Sequence, residues 1–275
     1  MNPILVSPDW LFANLEDVKV VDASWYLPTT NRNPKAEFDA QHIPGAVFFD
    51  HDDVVDPKSD LPHTIPDATT FAAKVGALGI SETDTIVVYD GAGLFSAPRA
   101  WWLFRTFGAT KVMVLDGGLP GWLEARLPVE SGSAPIYPVL FKAERNDGSW
   151  VGLDAMRSAV GQCAVLDARP AGRFTGQDAE PRAGMRTGHM PGATSVPASS
   201  LIENGRLLPA EKLRAAIVAA GVDLSKPTIT TCGSGVTAAI ISLALETLGH
   251  TNHRLYDGSW SEWGGRDDTP VETGG

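Results

Sequence analysis

Short apolar runs rich in β-branched residues recur along the chain, and between them lie longer stretches with helical periodicity. Runs near 18–21, 46–49, 85–89 and 111–115 read as strands, and segments near 9–15, 35–41, 68–78 and 97–107 read as helices. The pattern then begins again. Strands are expected near 164–167, 193–196, 228–231 and 254–256, with helices near 153–160, 209–220 and 237–248. Strands alternating with helices imply an α/β fold around a mainly parallel sheet. Residues 131–150 are punctuated by Pro, Gly and Ser and lack helical periodicity, so they read as a linker between domains spanning 1–130 and 151–275.

The restart is a duplication. VVDASWYLPTTNRNPKAEFDAQHIPGAVFFD (20–50) is echoed by VLDARPAGRFTGQDAEPRAGMRTGHMPGATSVP (165–197), each with a strand ending in Asp-Ala and a later His-x-Pro-Gly-Ala turn. TIVVYDGAGLFSAPRAWWLF parallels TITTCGSGVTAAIISLAL, and VMVLDGGLPGW parallels RLYDGSWSEW. The offset runs from 141 (Asp116 to Asp257) to 147 (His42 to His189), which marks a doubled domain and not a solenoid.

The two copies differ where chemistry is possible. Cys232 follows the strand 228–231 and precedes Gly-Ser-Gly and a helix, at the carboxyl end of a strand where open α/β sheets place their ligands. Unpaired helix-start amides and the helix dipole favour negative charge there, and Gly233 and Gly235 clear side chains from a loop whose N–H groups converge. Such a setting favours a thiolate. The matching position in the first copy is Asp90, which cannot act as a sulfur nucleophile.

Composition narrows the functional classes. Hydrophobic residues make up 43% and charged residues 20%, as in a packed globular protein, and the formal net charge of −11 argues against a nucleic-acid or anionic-membrane surface. Two cysteines, Cys163 and Cys232, give neither a disulfide framework nor a C-x-x-C metal or redox motif. The N-terminal stretch lacks the basic and apolar regions of a signal peptide, and no run of 18 apolar residues is present, so a reducing cytoplasm is expected.

These motifs together resemble the tandem-domain rhodanese sulfurtransferases. The doubled Asp-Ala strands, the paired His-x-Pro-Gly-Ala turns and the loop CGSGVTA (232–238) carry the resemblance, which extends from Asp22 to the Asp257-Gly-Ser-Trp segment. The Cys-Gly-Ser-Gly-Val order is that of the 3-mercaptopyruvate branch, whereas thiosulfate-specialised rhodaneses carry basic residues directly after the cysteine. The resemblance implies two rhodanese-like domains, the second catalytic, with no metal and no organic cofactor. It makes Cys232 the nucleophile that carries a persulfide, with Gly233, Gly235, Val236 and Thr237 forming the loop around substrate. Arg173 and Arg182 match positions that clamp the substrate's carboxylate and keto oxygen. Ser234, with His63 and Asp52 from the first domain, is implied as a proton relay. The implied donor is 3-mercaptopyruvate. The acceptor would be a thiol, such as thioredoxin or a small thiol, or cyanide.

Other residues read as structure. His42 and His189 occur in both copies, as do Asp22 and Asp167, so a shared architectural role is expected. Cys163 starts a strand and is expected to be buried and inert, while His51, His250 and His253 lack metal-ligand spacing with any cysteine. Trp101, Trp102, Trp122, Trp260 and Trp263 read as core and interface packing. Three competing functions remain: thiosulfate:cyanide sulfurtransfer on the same fold, a phosphatase, and a non-catalytic binding module. The phosphatase Cys-x5-Arg loop fails because residue 238 is Ala, and binding modules of this kind usually lack the cysteine.

Overall fold

A computed structural model describes residues 3–133 and 135–274. The chain forms two compact units. The first comprises Met1–Pro57, Ile65–Asn146 and Asn204–Leu207, and the second Lys58–Thr64, Asp147–Glu203 and Leu208–Gly275.

Each unit is built on a five-stranded parallel sheet. In the first the spatial order is Leu5–Val6, Val112–Leu115, Ile86–Tyr89, Lys19–Asp22, Val47–Phe48. In the second it is Trp150–Val151, His253–Tyr256, Thr228–Thr231, Ala164–Asp167, Ala193–Ser195. The central strand of each sheet, Ile86–Tyr89 or Thr228–Thr231, is buried along its whole length. That explains why these runs are apolar or β-branched at every position without a polar alternate. Asp90 and Cys232 leave these two strands at their carboxyl ends.

The eight strands expected from the apolar runs all form, within a residue or two of the expected bounds, and so do the seven periodic helices. Short elements escaped the pattern. Leu5–Val6 and Trp150–Val151 are two-residue edge strands, and the helices Gly118–Glu124, Ala171–Thr175 and Ser259–Trp263 are too short or too glycine-rich to show a period. Of the expected linker, residues 135–146 lie along the first unit. The Val139 N–H donates to the Gly76 carbonyl at 2.9 Å, and buried Phe141 packs edge-on against Phe71. Gly76 is required there, because a Cβ on it would stand 2.5 Å from the Val139 oxygen.

The histidines of the paired turns do the same work twice. His42 Nδ1–H donates to the Phe38 carbonyl at 2.7 Å and stacks on the Phe38 ring; His189 does so with Phe174 at 2.8 Å. Each also pairs by backbone with a glutamate at the end of its domain, Glu130 or Glu272. Both histidines therefore tie the first helix after the Asp-Ala strand to the domain's end.

The Asp-Ala strand ends are less alike. Asp22 is buried and accepts the Ser24 N–H at 2.9 Å. Burial raises its carboxyl to about 6, against hydrogen bonds from Ser24 and Tyr89 that favour the charge. A folded-state pKa above the unfolded value means that folding favours the neutral acid. This contribution is complete below about pH 4 and is lost as pH rises through about 6. Asp22→Asn stays neutral and keeps an acceptor for Ser24. It should exceed the native protein in stability at pH 7.5 by up to about 2–3 kcal/mol, with the advantage vanishing near pH 4. Thermal melts of both proteins across that range test this; a difference that does not vary with pH would rule it out.

Candidate active site

Past Thr231 the chain leaves the sheet and turns sharply through Cys232-Gly-Ser-Gly. Gly235 takes φ +84°, a conformation open to glycine, and this returns its N–H to 3.1 Å from Cys232 Sγ. The helix Ala238–Thr247 starts immediately beyond, with Thr237 at its N-cap position. Cys232 and Val236 are each only 2% exposed, so the sulfur is buried beside the Gly235 amide.

The turn at 259–261 holds the loop from behind. The Trp260 N–H donates to the Cys232 carbonyl at 2.9 Å, and Ser259 Oγ accepts the Cys232 N–H at 3.3 Å. Both the N–H and the hydroxyl of Ser261 donate to the Gly233 carbonyl, at 2.8 and 2.6 Å.

Two of the expected relay residues meet. His63 Nδ1 lies 2.9 Å from Ser234 Oγ, and both side chains are 5% exposed. His63 was expected as a contribution of the first domain, but the segment Lys58–Thr64 belongs by its contacts to the second unit. Its φ of 59° is left-handed, a strained state for a non-glycine residue that its surroundings must enforce. Asp52 lies in the first unit, where it accepts the Trp25 indole N–H at 3.2 Å.

Both expected arginines approach the loop. A Cβ built on Gly233 would stand 3.1 Å from Arg173 Nη2 and 3.8 Å from Arg182 Nη1, so glycine here lets two guanidinium groups close on the backbone. Arg173 is held by Glu180, which binds its Nε and Nη2 edge. Its Nη2, bound to Glu180, is the nitrogen nearer Gly233, and its Nη1 lies 4.0 Å from the same point.

Arg169 and Glu180 belong to this site, and sequence reasoning missed both. Arg169 is 1% exposed; it meets Asp167 at 2.6 Å, Glu180 at 2.7 Å and the Gly188 carbonyl at 2.8 Å. Burial opposes its charge, but Asp167 and Glu180 outweigh that and raise its pKa. Its guanidinium also lies over the Trp260 ring, 4.2 Å from the centroid. Asp167, Arg169, Glu180 and Arg173 thus form one alternating row of charges, buried except at Arg173, which is half-buried. A signal was present: the first copy reads Asp-Ala-Ser where the second reads Asp-Ala-Arg.

In the first unit the matching loop is filled by its own side chain. Asp90 is fully buried, and its carboxylate accepts N–H groups from Ala92, Phe95, Ser96 and Ala97 at 2.7–2.9 Å. Where the second loop turns the Gly235 amide toward a sulfur, the first turns four amides toward a carboxylate. Among the described residues, no group of three or more His, Cys, Asp or Glu could hold a metal, and no helix is long and apolar enough to cross a membrane.

The sequence profile of the rhodanese-like domain matches this chain twice, at residues 7–125 and 152–266. The chain belongs to the rhodanese family. The 3-mercaptopyruvate sulfurtransferase of Escherichia coli (strain K12) is 44% identical over 97% of this chain and 97% of its own length. The mitochondrial thiosulfate/3-mercaptopyruvate sulfurtransferase 1 of Arabidopsis thaliana is 41% identical over 98% of this chain and 78% of its own. Among solved structures, the 3-mercaptopyruvate sulfotransferase SseA from Escherichia coli aligns with a TM-score of 0.87 and 41% identity, covering 94% of this chain and 99% of that one. In this rhodanese-family chain the thiol loop, the paired arginines and the Ser234–His63 contact all fall in the second compact unit.

Proposed function

We propose that this protein is a sulfurtransferase that takes sulfur from 3-mercaptopyruvate, carries it on Cys232 as a persulfide and releases pyruvate. One observation carries the reading. A buried cysteine sulfur accepts a loop amide at 3.1 Å, beside a glycine on which two arginines converge. The Cys232 thiolate attacks the donor's sulfur. The donor's carbon–sulfur bond breaks, its electron pair stays on carbon, and that carbon takes up the proton the donor thiol carried. Ser234 and His63 pass that proton or polarise the ketone, a role their 2.9 Å contact supports. Arg173 and Arg182 meet the carboxylate and keto oxygen with fixed positive charge. An acceptor nucleophile then takes the outer sulfur and Cys232 leaves as thiolate; a thiol such as thioredoxin, a small thiol or cyanide fits this step. Asp52 enters the relay through the family resemblance, and a cytoplasmic setting is proposed on the same footing.

Thiosulfate is the second reading, favoured by the double name of the Arabidopsis relative. Against it, residues 233–237 offer amides but no side-chain cation to a dianion. Steady-state assays on both donors with one acceptor test the choice. The preference for 3-mercaptopyruvate should be at least about tenfold in kcat/KM, which needs about 1.4 kcal/mol of differential transition-state binding. Arg173→Ala and Arg182→Ala should each lower kcat/KM for 3-mercaptopyruvate by about tenfold to a hundredfold, the worth of a charged hydrogen bond. A native enzyme that prefers thiosulfate overturns the donor assignment, and arginine variants with native efficiency overturn the clamp.

A further inference from the structure

The backing turn differs between the two domains at the positions that touch the loop. Asp257-Gly-Ser-Trp-Ser-Glu-Trp aligns with Asp116-Gly-Gly-Leu-Pro-Gly-Trp, which sets Ser259 against Gly118 and Ser261 against Pro120. One bond is common to both: the Leu119 N–H donates to the Asp90 carbonyl at 3.0 Å, as the Trp260 N–H does to the Cys232 carbonyl. The others are chemically impossible in the first domain. Gly118 has no side chain, and a Cβ there would stand 2.3 Å from the Asp90 oxygen. Pro120 has no N–H to donate.

Ser259 is also in a costly conformation. Its φ is 49°, close to the 52° of Gly118, so the turn calls for a left-handed residue and glycine would fill it without strain. The second domain instead has a fully buried serine whose Oγ accepts the Cys232 N–H and donates to the Tyr256 carbonyl at 2.9 Å. Ser261 fixes the next peptide by two bonds to the Gly233 carbonyl. In a trans peptide the N–H points opposite to the carbonyl, so pinning that oxygen turns the Ser234 N–H to the far face of the loop.

We infer that Ser259 and Ser261 are positioning residues for sulfur transfer: they lock the peptide planes at Cys232 and Gly233 so that the loop amides are aligned before charge moves onto the sulfur. Preset dipoles of this kind need no reorientation during the reaction. The effect belongs to the chemical step and not to donor binding, because the arginines that meet the carboxylate lie on a different segment. The inference rests on Cys232 as the sulfur carrier.

Three variants test it: Ser259→Ala, Ser259→Gly and Ser261→Ala. Alanine keeps the left-handed strain and glycine relieves it, while both lack the oxygen. The two Ser259 variants should lose the same activity, about three- to tenfold in kcat with KM for 3-mercaptopyruvate within about twofold, although the glycine protein has the higher Tm. Ser261→Ala should fall in the same direction. Amide exchange across the peptide 230–237, measured without donor, should quicken in all three. Native kcat in both Ser259 variants overturns the inference, and so does activity that follows Tm, with glycine restoring what alanine loses. Unchanged amide exchange overturns it too, whatever the donor proves to be. A native enzyme that gains no sulfur on Cys232 instead overturns the functional reading, and the exchange data still decide whether the serines hold the loop.

Discussion

Cys232→Ser should abolish sulfur transfer, by about a thousandfold or more, because an alcohol at neutral pH is neither the nucleophile nor the carrier that a persulfide mechanism needs. The fold should survive, since an oxygen in place of sulfur can still accept the Gly235 N–H. Cys163→Ser is the control, and it should keep at least about half of native activity, as substitutions remote from special features usually do. Cys163 is half-buried, its thiol reaches the Ala159 carbonyl, and burial pushes its pKa up. Intact mass after exposure to 3-mercaptopyruvate provides a second reading: native protein and Cys163→Ser gain one sulfur, and Cys232→Ser gains none. Activity in Cys232→Ser at native levels would end the persulfide mechanism.

The second large effect is on stability. Arg169→Met should destabilise the protein by about 3–5 kcal/mol, because buried Asp167 would lose its cation and Glu180 would keep only Arg173. Methionine fills much of the same space over Trp260, so lost volume contributes little. Arg169→Lys should recover part of the loss, since an ammonium restores charge but not the fork that meets two carboxylates and a carbonyl. Urea denaturation of the three proteins measures both differences. Native stability in Arg169→Met would show that the row of charges is not coupled.

Much of this was legible in the chain because duplication supplied an internal control. The apolar runs located the eight principal strands, since buried parallel strands carry no polar alternate. Aligned repeats singled out Cys232 against Asp90. The site was less legible where it depends on residues distant in sequence. Glu180 looks like any acidic residue between two arginines, and its role appears when folding buries it against both Arg169 and Arg173. Ser259 and Ser261 sit inside a short glycine-rich turn with no periodicity to draw notice. His63 lies among residues of the first repeat, yet the chain path takes it to the second unit. Local pattern cannot report such crossings.

The carboxylate of Asp90 makes the first domain's loop hard to convert to thiol chemistry. It anchors four backbone amides, so it serves as a keystone of its own loop. A cysteine in its place would leave several buried N–H groups without an acceptor, each at a cost of about 1–3 kcal/mol. It would also meet a backing turn with glycine and proline where the working copy has serines. Installing a working thiol here would therefore call for changes at Asp90, Gly118 and Pro120 together. The first loop is a self-filled piece of scaffold, and the thiol belongs to the second alone.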